Sequence, residues 1–503
     1  MTGLRELRPH QTAALDGLRQ SIMAGHRRPM LMAPTGAGKT VIAAHIVARA
    51  RAKGKRLAFV VPSLGLIDQT IERFVENGID ASEIGVVQAD HSWRRPHAPI
   101  QVCTAQTLSR RDFPAVDLVV VDEAHVRFAV IERWMQSPGW TEKPFIGLSA
   151  TPWSVGLGKL YDTLVKPTSL AALIEQGYLS KFRVFAPSKP DLTGVRTVAG
   201  DYHEGELAER MNKPQLVADI VQTWLMRGED RPTLCFATGR QHARAIHDQF
   251  EAVGVPVAYV DADTPREERT EIGKRLAAGE IKVVCNIGTL TTGIDWDVRC
   301  LILARPTKSE SLFVQIIGRA LRTAPGKADA IILDHSDTHM RLGMVTDIDH
   351  DELDTGRDKK AKAKAREKKT PLPRCCPSCT ALMPITVRQC LACGHEMPIR
   401  GPEMADGELV EMGGRRQTKT TSVTDEIRAM GKQSVFSQLR QMQLAADRKD
   451  GWTAHAYREL FGVWPRGLLF DPIQASPLIL SYVRHKQIRF AKSRAREVTH
   501  AAV

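Results

Sequence analysis

The chain has 503 residues, 43% of them apolar and 25% charged, with a formal net charge of +13 at pH 7. That length accommodates two or three domains with their own cores, and the balance of residues excludes a largely disordered chain. The excess of cations points to a polyanionic partner, while no apolar run approaches the ~20 residues of a membrane span, so no membrane partner is expected. The start, Met1-Thr2-Gly3-Leu4-Arg5-Glu6, lacks the apolar stretch of a secretory leader. Cys103, Cys235, Cys285 and Cys300 are scattered among apolar residues and read as reduced core thiols. A cytoplasmic, reducing setting is expected.

In chain order, Leu7-Arg8-Pro9-His10-Gln11 precedes an amphipathic helical pattern over 12–23. Gln11 is there a polar residue at a helix start, with no role assigned locally. An apolar strand, Met30-Leu31-Met32, then leads into Ala33-Pro34-Thr35-Gly36-Ala37-Gly38-Lys39-Thr40, and an apolar helical pattern leads out. Strand, glycine-rich loop and helix form the layout of a phosphate-binding loop. Gly36 and Gly38 let the backbone N–H groups around Ala37 turn toward an anion. Lys39 would place a charge on the β and γ phosphates and Thr40 a hydroxyl ligand on Mg²⁺. Ala33 departs from the glycine that usually opens this pattern.

Further strands follow at Leu57-Ala58-Phe59-Val60-Val61, at 102–108, at Leu118-Val119-Val120-Val121 and at Phe145-Ile146-Gly147-Leu148. Continuous apolar strands alternating with helices specify a parallel α/β sheet buried on both faces. Polar residues fall at the carboxyl ends of these strands, where such sheets carry their sites. Asp122-Glu123, after the fully apolar strand, suits a metal-holding carboxylate and a base for an attacking water. Two solvated acids at a strand end are the plainer alternative.

Residues 166–230 have a looser, proline-bearing pattern and read as a connection. A second α/β set occupies 233–334 without a phosphate loop of its own, which suits a partner domain completing the first site across a cleft. There Gln315, Arg319 and Arg322 recur at helical spacing, presenting an amide and two guanidinium groups on one face. By spacing alone this face serves equally as an arginine supply for phosphoryl transfer or as a cationic surface for solvent or nucleic acid.

Over residues 4–340 these segments together resemble the superfamily 2 helicases of the DEAD/DEAH type, closest to restriction-enzyme motors and phage-borne proteins. Gln11 resembles the adenine-reading Q motif and 36–40 motif I, a family in which Ala33 is ordinary. Val61-Pro62-Ser63 resembles motif Ia, Thr104-Ala105-Gln106-Thr107-Leu108 motif Ib, Asp122-Glu123-Ala124-His125 motif II and Ser149-Ala150-Thr151 motif III. Gly288-Thr289-Leu290-Thr291-Thr292-Gly293-Ile294-Asp295 resembles motif V and 315–322 motif VI. The resemblance implies two tandem RecA-like domains with ATP and Mg²⁺ between them. Lys39, Asp122, Glu123, Gln315, Arg319 and Arg322 would form the catalytic set, with Gln11, Gly293 and Asp295 also at the nucleotide. It further implies that His125, Ser149 and Thr151 couple the cleft to movement, His125 by touching motif VI. Pro62, Ser63, Thr104, Gln106, Thr289 and Thr292 would hold the nucleic-acid backbone, with little sequence preference and marked salt sensitivity.

Past the motor, 351–369 is a charged, lysine-rich run that reads as a solvated linker or a phosphate-contacting segment. Cys376-Pro377-Ser378-Cys379 and Cys390-Leu391-Ala392-Cys393 follow, two C-x-x-C pairs able to surround Zn²⁺ with four thiolates. Cys375 is a spare that can replace Cys376, and four thiolates leave no open position for catalysis. The tail is helical in pattern, with Trp452, Tyr457, Phe461 and Trp464 among basic residues and a basic end at Arg484, Lys486, Arg489, Lys492, Arg494 and Arg496. It suits nucleic acid or a protein partner.

The expected architecture is therefore an ATP-binding domain over 1–165, a second RecA-like domain over 166–345 and a charged linker over 346–372. A zinc ribbon over 373–400, a linker over 401–424 and a helical basic domain over 425–503 complete it. The expected activity is that of an ATP-dependent DNA helicase or translocase. Duplex translocation without unwinding, RNA as substrate, and a zinc-containing loading protein with an ATPase switch are the alternatives.

Overall fold

The computed structural model describes residues 4–88, 90–186, 189–198, 200–291, 295–356, 372–396, 423–446, 448–480 and 482–483. The chain divides into two units, Met1–Arg400 and Gly401–Val503.

The first unit holds two α/β sheets. One contains β1 (Pro29–Met32), β2 (Leu57–Val61), β3 (Ile84–Val86), β4 (Ile100–Thr104), β5 (Leu118–Val121), β6 (Phe145–Ser149) and β7 (Thr163–Val165), in the order β3-β4-β2-β5-β6-β1-β7. Every pairing is parallel. Their apolar runs are buried on both faces, which is why they lack a polar alternation. On one face Phe59 meets Phe74 edge-on; on the other Phe113 stacks on Trp134 with ring centroids 4.7 Å apart. Since β5, β6 and β1 are neighbours, the segments after them (122–125, 149–151 and 33–40) converge at one edge of the sheet.

The second sheet is built from β8 (Lys181–Phe185), β11 (Thr233–Phe236), β12 (Val257–Val260), β13 (Val283–Asn286), β14 (Cys300–Leu303) and β15 (Asp329–Asp334), all parallel in the order β12-β13-β11-β14-β15-β8. A small antiparallel pair, β9 (Thr197–Val198) and β10 (Asp201–Tyr202), stands outside it. Cys103, Cys235, Cys285 and Cys300 are all buried, and burial pushes the Cys103 and Cys300 thiols up to about 12.

Three segments differ from the reading of the sequence. The stretch read as a connection contributes β8 to the second sheet. Its alternating Lys181-Phe182-Arg183-Val184-Phe185 hides a strand because Arg183 is half-buried against Asp329 (2.5 Å) and Glu229 (2.9 Å). Residues 346–356, read as linker, lie on the first domain: Lys166 pairs with Asp349 (2.6 Å) and Asp351 (2.7 Å), and the Asp354 carbonyl accepts from the Gly158 N–H. The rest of the lysine-rich run, 357–371, falls outside the described residues. Finally, the cysteine segment is not a detached module. Its β17 (Ala381–Met383) pairs antiparallel with β8 and carries β16 (Arg374–Cys375) beyond it, so the ribbon forms the edge of the second sheet.

The second unit has helices Val423–Ala429, Lys432–Ala445 and Trp452–Phe461 around a core of Ile427, Val435, Leu439, Ala456, Tyr457, Leu460, Ile479 and Val483. Tyr457 is a core residue, whereas Trp464 is 42% exposed beneath the Arg458 guanidinium. The linker 401–422 and the basic end 484–503 lie outside the described residues.

Candidate functional site

The site begins where β1 ends. Gly36 and Gly38 take φ values of 85° and 83°, a region that side chains other than glycine strain to enter. A Cβ on Gly38 would also collide with the Gln11 amide. Helix Lys39–Ala52 starts from this turn with no side-chain cap and no acidic residue in its first turn. Its first N–H groups and the positive end of its dipole are thus left for an external anion, and the loop fits a polyphosphate.

Lys39 reaches back to the end of β5, where it pairs with Glu123 and lies 3.9 Å from Asp122. Burial opposes the charges on both partners of the close pair, but attraction outweighs it. Lys39 is held above the usual lysine range, and the Glu123 carboxyl is brought down to about 2 by Lys39 and His125. Burial and the neighbouring Glu123 charge raise the Asp122 carboxyl, despite the opposing pull of Lys39. Glu123 also has a backbone φ of 45°, a left-handed conformation uncommon for glutamate and characteristic of functional turns.

The second domain closes the same cavity, of about 450 Å³, with Asp295, Arg319 and Arg322 facing Gly36, Gly38, Lys39, Thr40, Asp122 and Glu123. Arg319 is 8% exposed and donates to the Thr291 carbonyl. Burial, together with the Arg322 charge, lowers its pKa to about 9. Arg322 pairs with Asp295 at 2.7 Å, and Asp295 in turn meets Arg73 of the first domain at 3.2 Å. Two guanidinium groups desolvated so close together favour an anion between the domains.

Two further contacts fix the domains against each other. Gly318 packs on Thr35, where a Cβ would approach the Thr35 Cβ to 2.7 Å. Gln315, expected among the catalytic residues, is not among those lining the cavity. Its amide instead lies 3.3 Å from both His125 Nε2 and Thr151 Oγ1. His125 Nδ1 is 2.9 Å from Ser149 Oγ, which accepts from the Thr151 N–H. His125, Ser149, Thr151 and Gln315 thus form one polar chain between the domains.

The remaining expected residues are dispersed. Gln11 is buried beside the phosphate loop and donates to the Ala37 carbonyl at 3.0 Å. Ser63 and Gln106 are exposed at strand ends, and Pro62 and Thr289 are half-buried. Thr104 is a correction: it is fully buried and its hydroxyl caps the turn Ala105–Leu108 by accepting from the Thr107 N–H, which leaves no side-chain surface for nucleic acid. Thr292 and Gly293 lie outside the described residues. The sequence reading missed Arg73, Arg8 and Tyr178, all of which line the cavity. None belongs to a local pattern, so only the folded arrangement identifies them.

In the ribbon, the sulfurs of Cys376, Cys379, Cys390 and Cys393 all lie within 4.8 Å of one another. Cys376 Sγ is 3.7 Å from Cys393 Sγ, and Cys379 Sγ is 3.6 Å from Cys390 Sγ. Tetrahedral Zn²⁺ with bonds of ~2.3 Å would separate its sulfurs by about 3.8 Å, so the donor set fits that ion. Backbone N–H groups of Ser378 and Cys379 point at Cys376 Sγ, as a thiolate requires. Cys375 is exposed and outside the cluster.

Residues 4–154 match the family described as type III restriction enzyme, res subunit, and 212–324 match the helicase conserved C-terminal domain. A 51.5 kDa protein of a Lactococcus phage is 27% identical over 74% of this chain and 78% of its own length. The ATP-dependent DNA helicase uvsW of Enterobacteria phage T4 is 24% identical over 67% of this chain and 70% of its own. The chain spans only 51% and 59% of two yeast relatives. Among solved structures, the type ISP restriction-modification enzyme LlaBIII bound to DNA shares the fold. Its TM-score is 0.50 at 18% identity, covering 66% of this chain and 28% of that one.

Two outcomes follow from this geometry. Gly318→Ala forces the domains apart at Thr35, and an overpacked contact of this kind is worth about 1–3 kcal/mol. Its steady-state ATP turnover is expected to fall at least about fivefold with the fold intact by circular dichroism. Stripping metal from the ribbon with a chelator should release one zinc per chain and speed amide exchange in β8 and β17, while β2 and β5 keep their protection. Unchanged exchange in β8 would mean that the ribbon does not depend on a metal.

Proposed function

Because the chain belongs to superfamily 2 of the helicases, of the restriction-motor and phage type, it is an ATP-hydrolysing nucleic-acid motor, and we propose that its track is DNA. The observation that carries the reading is the shared cavity. Lys39, Asp122 and Glu123 of one domain face Arg319 and Arg322 of the other, so the site is complete only when the domains meet. The names of the relatives, restriction enzymes and a DNA helicase, support DNA over RNA. No described helix is long and apolar enough to cross a membrane.

The family implies ATP and Mg²⁺. Thr40 and Asp122 would hold the metal, whose charge neutralises the β and γ phosphates. Lys39 exchanges Glu123 for phosphate oxygens, which leaves the Glu123 carboxylate free to accept a proton from water. Arg319 and Arg322 meet the charge that develops on the transferred phosphoryl group. The chain Gln315–His125–Thr151–Ser149 carries closure of the cleft to Pro62, Ser63, Gln106 and Thr289, which hold the DNA backbone. In the ribbon, Zn²⁺ on Cys376, Cys379, Cys390 and Cys393 has a structural role, and the C-terminal unit is a further contact for DNA or a protein partner.

ATP turnover measured at low salt with no nucleic acid, single-stranded DNA, duplex DNA and single-stranded RNA tests this proposal. Stimulation by DNA is expected; stimulation by RNA alone would overturn the choice of DNA, and none at all would favour a partner-gated switch. Lys39→Ala and Glu123→Gln should each lower turnover by ~100-fold or more. Both should still shift labelled DNA in a gel, with affinity falling steeply as salt rises.

A further inference from the structure

Three successive residues between the domains touch three different parts of the cleft. Helix Leu170–Glu175 ends at a turn through Gly177, with φ of 73°, and the chain then runs Tyr178-Leu179-Ser180 into β8. The half-buried Tyr178 ring lines the same cavity as Lys39 and Arg319. The Arg8 guanidinium lies over it, 4.8 Å from its centroid, and the His10 ring meets it edge-on at 5.0 Å. Leu179 is buried, and its side chain fills the space beside Gly36 of the phosphate loop. It forms an antiparallel bridge with Arg322. Ser180 donates its backbone N–H to the Leu321 carbonyl at 2.7 Å and its hydroxyl to the Arg322 carbonyl at 3.2 Å.

Gln11 is engaged through both ends of its amide. It is 3% exposed, its Oε1 accepts from the Arg8 N–H at 2.9 Å and its Nε2 donates to the Ala37 carbonyl. Gln11 therefore braces the phosphate loop. Tyr178, with its arginine neighbour, brings a half-buried ring to the cavity, which suits a purine stacked on an aromatic face.

We infer that Tyr178-Leu179-Ser180 is a nucleotide-sensing element, with Tyr178 as the stacking wall for the base and Leu179 and Ser180 as positioning residues for Arg322. It rests on the reading of the cavity as an ATP site. Because the wall and the backbone grip on Arg322 are adjacent in one short segment, seating the base and placing the arginine are one event. A nucleotide without a base, or a cleft without the tyrosine ring, loses that link.

The test uses the full-length chain and follows ATP KM, kcat and the inhibition constant of inorganic tripolyphosphate, which carries the phosphates without a base. Tyr178→Ala should raise KM for ATP about tenfold or more, with the tripolyphosphate constant within twofold of wild type. Tyr178→Phe should restore KM, which excludes a folding defect as the cause. Leu179→Ala should lower kcat with little change in KM. A wild-type KM in Tyr178→Ala, while Lys39→Ala abolishes turnover, would overturn the inference and leave the ATP site standing. A parallel rise in the tripolyphosphate constant would overturn the assignment of the base wall. Full turnover in Lys39→Ala would instead refute the ATP reading itself.

Discussion

The pair between Lys39 and Glu123 is the interaction on which the cleft depends. It joins the phosphate loop after β1 to the acidic turn after β5, with β6 between them. A buried lysine and a buried carboxylate are each costly alone, and pairing keeps both charged. In the proposed function, where Glu123 is the base, the same pairing keeps its carboxylate occupied. A triphosphate seated on the loop would, on that proposal, draw Lys39 away and leave the carboxylate available.

Around this pair the second domain is held by contacts that require close approach. Gly318 on Thr35, Gln315 on His125 and Thr151, and Arg73 on Asp295 all cross between the sheets. Residues 346–356 return from the second domain to the first, where the His350 ring lies against Trp153 and His350 Nε2 is 2.8 Å from Glu310. Trp153 follows Thr151 closely in sequence, and Glu310 opens the helix that carries Gln315 and Arg319. The domains are thus tied by this return segment as well as by the polar chain of His125, Ser149, Thr151 and Gln315. At Gly318 the approach to Thr35 leaves no room for an added methyl group.

The ribbon gives the second sheet an edge. A parallel sheet ending at β8 would expose unpaired backbone groups, and β17 covers them by antiparallel pairing. Cys376, Ala381, Met383 and Cys390 lie in the same apolar cluster as Phe185, Ile220 and Trp224. The cysteine cluster therefore closes part of the motor's own core. This explains how a segment that looks independent in composition becomes part of the domain that supplies the arginines.

What the residues alone determined were features whose chemistry is local. Glycines spaced for a tight turn before a lysine, paired acids after a run of valines, and two C-x-x-C pairs each impose their geometry over a few residues, so spacing is enough to read them. Apolar runs likewise identified the parallel strands, because a strand buried on both faces leaves no room for polar alternation. Only the tertiary structure decided the rest. It put Thr104 inside as a cap, moved Gln315 from the cavity to the domain contact, and turned Lys181–Phe185 from a connection into a strand. It also brought Arg73 and Tyr178 into a cavity far from them in sequence. In each case the partner is distant along the chain, and the free energy that fixes the position comes from packing that no short pattern contains.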